Sequence, residues 1–81
     1  MQQKTYVDLL QESALYIAQA CQQIRYYGLD TKRPDTITYK QALTGELEDF
    51  LAVIACLETK GVINLTSSQQ NIKTKYKQLL K

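Results

Sequence analysis

The chain has 81 residues, 44% of them hydrophobic, with one proline and three glycines; this composition excludes disorder and sits near the lower size limit for one self-sufficient domain. A chain this short hides only about 60–65% of its unfolded surface, which invites cover from a second chain. Ten basic residues against eight acidic ones leave a formal charge of +2, too small to imply nucleic-acid binding by itself.

The first helix is expected from Thr5, as a cap reciprocated by Asp8, to about Tyr27. Val7, Leu10, Ala14, Ile17, Cys21 and Ile24 alternate steps of three and four, the pattern of a helix-packing seam. Gly28 then supplies a left-handed stop. The opposite stripe reads Leu9, Glu12, Tyr16, Gln19, Gln23 and Tyr26, either the wall of a polar pocket or an ordinary surface face.

Residues 28–37 read as a loop, in which Pro34 biases Arg33 away from helical geometry. Arg25, Lys32, Arg33 and Lys40 surround it. The second helix is expected to open at Thr38, followed three positions later by Gln41, and to close at Lys60-Gly61. Its seam is Leu43, Leu47, Phe50, Ile54 and Leu57.

From Phe50 to Leu57 this helix is apolar all the way round, so it needs cover on every side. Two other helices in so small a chain would struggle to provide it. We therefore expect helix association between subunits, most simply a four-helix bundle across a dimer, with a tetramer also open.

A third helix, opened by Ser67 or Ser68, carries Ile72, Tyr76, Leu79 and Leu80 at helical spacing. Lys73, Lys75, Lys77 and Lys81 crowd the same segment, as a contact for nucleic acid or an acidic partner or, the better reading, as a solvated face. The fold class is thus all-α, an antiparallel hairpin plus a C-terminal helix over a single domain of residues 1–81.

Cys21 and Cys56 lie inside apolar periodic segments, with no second cysteine or histidine at metal-ligand spacing, and read as core thiols. The N-terminus lacks the basic-then-apolar layout of a signal peptide. The longest apolar run falls far short of the ~20 residues of a membrane span, so a cytoplasmic protein without membrane contact is expected.

Glu46 and Asp49 stand three apart, on one helix face, directly before the apolar run. With Glu12 on the first helix they make three carboxylates on two helices, which is how helical bundles build divalent metal sites. The alternative is that Glu46 and Asp49 are structural acids pairing with Arg25 or Lys40.

An acid in the first helix, Arg25-Tyr26 near its end, Gly28-Leu29-Asp30, then Glu46-Leu47-x-Asp49 followed by Leu51-Ala52-Val53-Ile54 resembles the MazG-like nucleotide pyrophosphohydrolases over roughly residues 9–61. That resemblance implies an all-α bundle completed by oligomerisation and Mg²⁺-dependent hydrolysis of nucleoside triphosphates to monophosphate and pyrophosphate. Against the family pattern Glu-Glu-x-x-Glu then Glu-x-x-Asp, the acids Glu12, Glu46 and Asp49 match as metal ligands. Gln11 and Leu15 replace the other two glutamates, and an aliphatic side chain does not coordinate Mg²⁺.

The function expected is therefore that of a pyrophosphohydrolase relative with an incomplete metal site and weak or lost activity. Tyr16, Tyr26 or Tyr27 would stack on the base, although core or interface packing is the better reading for any single tyrosine, and Arg25, Lys32, Lys40 or the C-terminal lysines would meet the phosphates. The alternatives are a nucleotide-binding, sequestering or regulatory protein without catalysis, and a structural helical assembly module.

Overall fold

The computed structural model describes residues 3–81, with side chains from residue 5 onward. It is all-helical: α1 spans Gln3–Tyr27, α2 spans Tyr39–Thr59, and α3 spans Gln69–Leu79 after a 3-10 turn at Thr66–Ser68. Helices α1 and α2 form an antiparallel hairpin, while among the helical elements described α3 contacts only the 3-10 turn, with Gln69 Nε2 also donating to the Leu65 carbonyl at 3.3 Å. Among the described residues no helix is long and apolar enough to cross a membrane.

The corner between α1 and α2 is set by short-range chemistry. Gly28 adopts φ +94°, a conformation open to glycine, and its N–H reaches the Ile24 carbonyl at 2.8 Å, ending α1. Thr38 opens α2 with a complete capping box: Gln41 N–H donates to Thr38 Oγ1 at 3.1 Å, and Thr38 N–H donates to Gln41 Oε1 at 2.8 Å. The next N–H groups of α2 are also satisfied, Tyr39 by the Thr31 carbonyl and Lys40 by the Leu29 carbonyl.

Residues 32–38 close as a small antiparallel bridge between Lys32 and Thr38 around the turn Arg33-Pro34-Asp35-Thr36. Thr36 takes φ +79°, unusual for a β-branched residue, and hands the chain back so that Arg33 N–H meets the Ile37 carbonyl at 2.6 Å. The Tyr39 ring, buried, stacks on Tyr27 with centroids 5.0 Å apart and planes 9° from parallel. Both helix ends are thereby tied.

The start of α1 departs from expectation. The helix is already formed at Gln3, so Thr5 lies in its first turns rather than at a cap, and no Thr5–Asp8 capping box forms. Gln and Lys at positions 3 and 4 are adequate helix formers, which removes the need to begin at Thr5.

The packed stripe of α1 is also rotated from the expected one. Leu10, Ile17 and Ile24 are half-buried as expected, but the stripe is completed by Tyr6, Ser13 and the buried Ala20. Val7, Ala14 and Cys21 remain exposed. The small Ala20 methyl allows α2 to approach where Cys21 would hold it off. Both cysteines are exposed free thiols, correcting their reading as core residues.

On α2, Leu57 is fully buried and Leu43, Phe50 and Ile54 are half-buried, whereas Leu47 is exposed. Ala42, Glu46 and Val53 share the packed face. After the Gly61 turn, at φ +73°, the Leu57 carbonyl accepts from Val62 N–H at 2.9 Å. Half-buried Val62, Ile63 and Leu65 follow it. Beyond them Ser68 stands at the N-cap of α3 without a side-chain capping bond, and every residue of α3 is exposed.

Only Ala20, Tyr39 and Leu57 are buried apolar residues among those described. The radius of gyration is 15.2 Å, against about 12 Å for a compact domain of this length, and the molecule is a slab of 39 × 37 × 15 Å. Leu57→Ala is expected to destabilise the chain by about 2–5 kcal/mol, and Leu57→Met by less than about 1.5 kcal/mol, measured by urea denaturation followed by circular dichroism.

Candidate functional site

The hairpin seam opens on one side into a polar cleft of about 130 Å³, lined by Tyr16, Gln19, Ala20 and Gln23 of α1, Arg33 of the corner loop, and Ala42 and Glu46 of α2. Tyr16, Gln19 and Gln23 follow a three-then-four step along α1, beside the stripe that packs on α2. Glu46 follows Ala42 by one turn on the packed face of α2 and is half-buried. An acid and a guanidinium thus face one depression from two different elements.

Glu12 joins the cleft through Tyr16, whose hydroxyl donates to Glu12 Oε1 at 3.2 Å, one turn back along α1. That hydrogen bond, the Glu12 charge, partial desolvation and the Glu46 charge across the cleft together hold the Tyr16 phenol above the ordinary tyrosine range. Tyr16 therefore sits between two carboxylates, one on each helix. It stays protonated where a free phenol would begin to ionise.

Arg33 pairs with Asp35, Nη2 to Oδ2 at 3.2 Å, the one ion pair among the described residues. The pair is partly exposed and worth under about 1 kcal/mol, so a stronger anion competes for the guanidinium at little cost. Glu46 and Asp49 form no ion pair with Arg25 or Lys40.

Further along α1, Gln19 and Gln23 also line a second groove of about 290 Å³ with Gln22, Tyr26 and Tyr27. The two depressions share these glutamines as lining. Tyr26 is 82% exposed, with its ring 5.6 Å from that of Tyr27, centroid to centroid. The polar stripe of α1 is exposed throughout, and its Tyr16, Gln19, Gln23 and Tyr26 border these depressions.

The other site residues expected from sequence lie elsewhere. Asp49 is exposed one turn beyond Glu46 and does not line the cleft. Arg25 does not line the cleft but a further groove with Ala18, Cys21, Gln22 and Tyr26, the last two shared with the tyrosine-lined groove. Lys32 and Lys40 are exposed at the loop bridge and in the first turn of α2. Leu15, where the family carries a glutamate, is 59% exposed.

Among the described residues no three His, Cys, Asp or Glu side chains are placed to hold a metal ion. Within one chain, then, Glu12, Glu46 and Asp49 do not make a three-carboxylate Mg²⁺ site, and Glu12 already accepts from Tyr16. The site residue missed in the sequence is Arg33, which stands out there only as one of the basic residues around the loop and as the residue Pro34 holds extended. Comparison with protein-family models, with curated proteins and with solved structures gave no match.

The Tyr16 linkage has a definite sign. Because the folded phenol gives up its proton at higher pH than the unfolded one, its contribution to stability is intact below the unfolded tyrosine value of about 10 and is lost as pH rises above it through the higher folded value. Glu12→Gln removes the largest cause, and the Tyr16 midpoint is expected to move down toward the ordinary value in a ¹³C-tyrosine NMR titration assigned with Tyr16→Phe. Glu46→Gln is expected to lower it less.

Proposed function

We propose that the chain is a nucleotide-handling protein of the MazG-like type, a homo-oligomer that binds its ligand in the α1–α2 cleft and has weak or lost pyrophosphohydrolase activity. The observation that carries this reading is the polar cleft lined by Tyr16, Arg33 and Glu46, with Glu12 hydrogen-bonded to Tyr16, next to a tyrosine- and glutamine-lined groove. Of the acids that the resemblance assigns to the site, Glu46 lines the cleft and Glu12 is hydrogen-bonded to Tyr16 beside it.

The parts suit a nucleotide's chemistry. Arg33 presents a planar guanidinium, which binds phosphate through paired N–H donors and exchanges Asp35 for a stronger anion. Tyr26 and Tyr27 offer ring faces for a base, where stacking is worth about 1–3 kcal/mol, and Gln19, Gln22 and Gln23 offer amides to its edge. Glu46, near the phosphate end, disfavours excess negative charge and so selects among phosphate states.

Weak or lost hydrolysis follows from the ligand set. Among the described residues the carboxylates do not form a metal-holding cluster, and Leu15 supplies none. Self-association follows from the apolar surface that the hairpin leaves exposed, including Leu51 at 63%.

The test is a thermal-shift panel of nucleoside mono-, di- and triphosphates, with pyrophosphate release measured in parallel with Mg²⁺. A nucleotide well above its Kd is expected to raise Tm by several degrees, with little release. Arg33→Ala and Tyr26→Ala should weaken the shift. Leu15→Glu, at an exposed position, should fold normally, and any gain in release on restoring that carboxylate would show the scaffold still suited to hydrolysis. Fast release abolished by Glu46→Gln would replace this reading with an active hydrolase; neither shift nor release would leave an assembly module.

A further inference from the structure

Helix α3 is an isolated helix in the chain that carries it. It has eleven residues, no side-chain cap and no contact with α1 or α2. Helices shorter than about 12–15 residues are marginal in water without packing. Its three Gln and three Lys are adequate helix formers, but they are interspersed with Asn71, Ile72, Thr74 and Tyr76, and propensity alone does not sustain a helix of this length. What would stabilise it is cover for Ile72, Tyr76, Leu79 and Leu80, which at steps of four, three and one form a single apolar stripe, all exposed.

The hairpin has the complementary deficit. On α2, Leu47 and Leu51 lie exposed one turn apart, with half-buried Leu43 and Ile54 extending the same flank. Helical geometry places the exposed Val7, Ala14 and Cys21 of α1 on that side of the hairpin, opposite the polar cleft.

Charge divides in the same way. Residues 1–59 hold five Lys or Arg against eight Asp or Glu, whereas residues 60–81 hold five lysines and no acid. The hairpin is net −3 and the C-terminal segment +5. Lys73 and Lys77 flank the α3 stripe, while Glu48 adjoins the α2 stripe and Glu58 ends it.

We infer that α3 is an exchange arm: in a two-fold dimer each chain lays its Ile72-Tyr76-Leu80 stripe along the Leu47-Leu51 flank of the other chain's hairpin, with its lysines beside that hairpin's acids. Like sign within each segment and opposite sign between them favour arm-on-hairpin pairing over arm-on-arm or hairpin-on-hairpin pairing. The two-fold relation satisfies both deficits at once. The nucleotide cleft, on the opposite side, stays open. This inference rests on the homo-oligomer part of the proposed function and is independent of nucleotide binding.

Sedimentation velocity and light scattering on the full chain test it. Wild type is expected to be a dimer whose affinity falls with added salt. Ile72→Asp with Tyr76→Asp, and separately Leu51→Asp, are expected to weaken the dimer at least tenfold; all three positions are exposed in the monomer, so α1 and α2 helicity by circular dichroism is retained. Lys73→Glu with Lys77→Glu should weaken self-association, and mixing with Glu48→Lys should restore it as a heterodimer. A wild-type monomer overturns the inference together with the homo-oligomer. A dimer indifferent to the α3 substitutions overturns the arm alone. A monomer whose α3 binds anionic vesicles or RNA overturns it in favour of that partner.

Discussion

A contact between two helices covers one stripe on each, and both long helices of this chain carry apolar side chains well beyond one stripe. That constraint shapes the molecule. α1 and α2 spend their best-fitting residues on each other around Ala20, Tyr39 and Leu57, and the remainder, from Val7 to Leu51, is left on the outside. The slab-like shape and the free-standing α3 are two expressions of the same shortage of interior. A chain of this length has too little volume for its surface, and a second chain is the cheapest source of more.

The hairpin also divides its two sides by chemistry. Glu46 lies on the packed face of α2 yet reaches the cleft, because its neighbours along that face, Ala42 and Ala20 across from it, are small. A larger side chain at either position would fill the depression. On the other side of the seam the same helices expose leucine, valine, alanine and cysteine. The polar cleft and the exposed apolar flank thus lie on opposite sides of one helix pair.

How far this was legible in the sequence depends on range. Gly28, the Thr38–Gln41 capping box and the Lys60-Gly61 ending act over four residues or fewer, and the structure carries each of them where the local rules put it. The rotation of α1 was not legible. Its residues offer two adjacent apolar stripes, one through Cys21 and one through Ala20, and the choice is made by the fit against α2. The cleft was half legible: the Glu12, Tyr16, Gln19, Gln23 stripe and Glu46 were visible, but Arg33 reaches the site only because a bridge between Lys32 and Thr38 and a left-handed Thr36 fold the loop back. No periodicity encodes such a loop. Thr5 failed for the opposite reason, since a good capping residue does not stop a helix from starting earlier.

The stacked pair Tyr27 and Tyr39 carries a further consequence. The chain has six tyrosines and no tryptophan, so all of its near-ultraviolet aromatic absorption beyond a single phenylalanine arises from phenol rings. Two of those rings lie nearly parallel, 5.0 Å apart, with one on each helix of the corner. Their transitions couple only while the corner is closed, whereas the amide signal follows the helices wherever they are. The molecule thus contains its own optical gauge of hairpin closure, distinct from helix content, at the joint that positions Arg33 over the cleft.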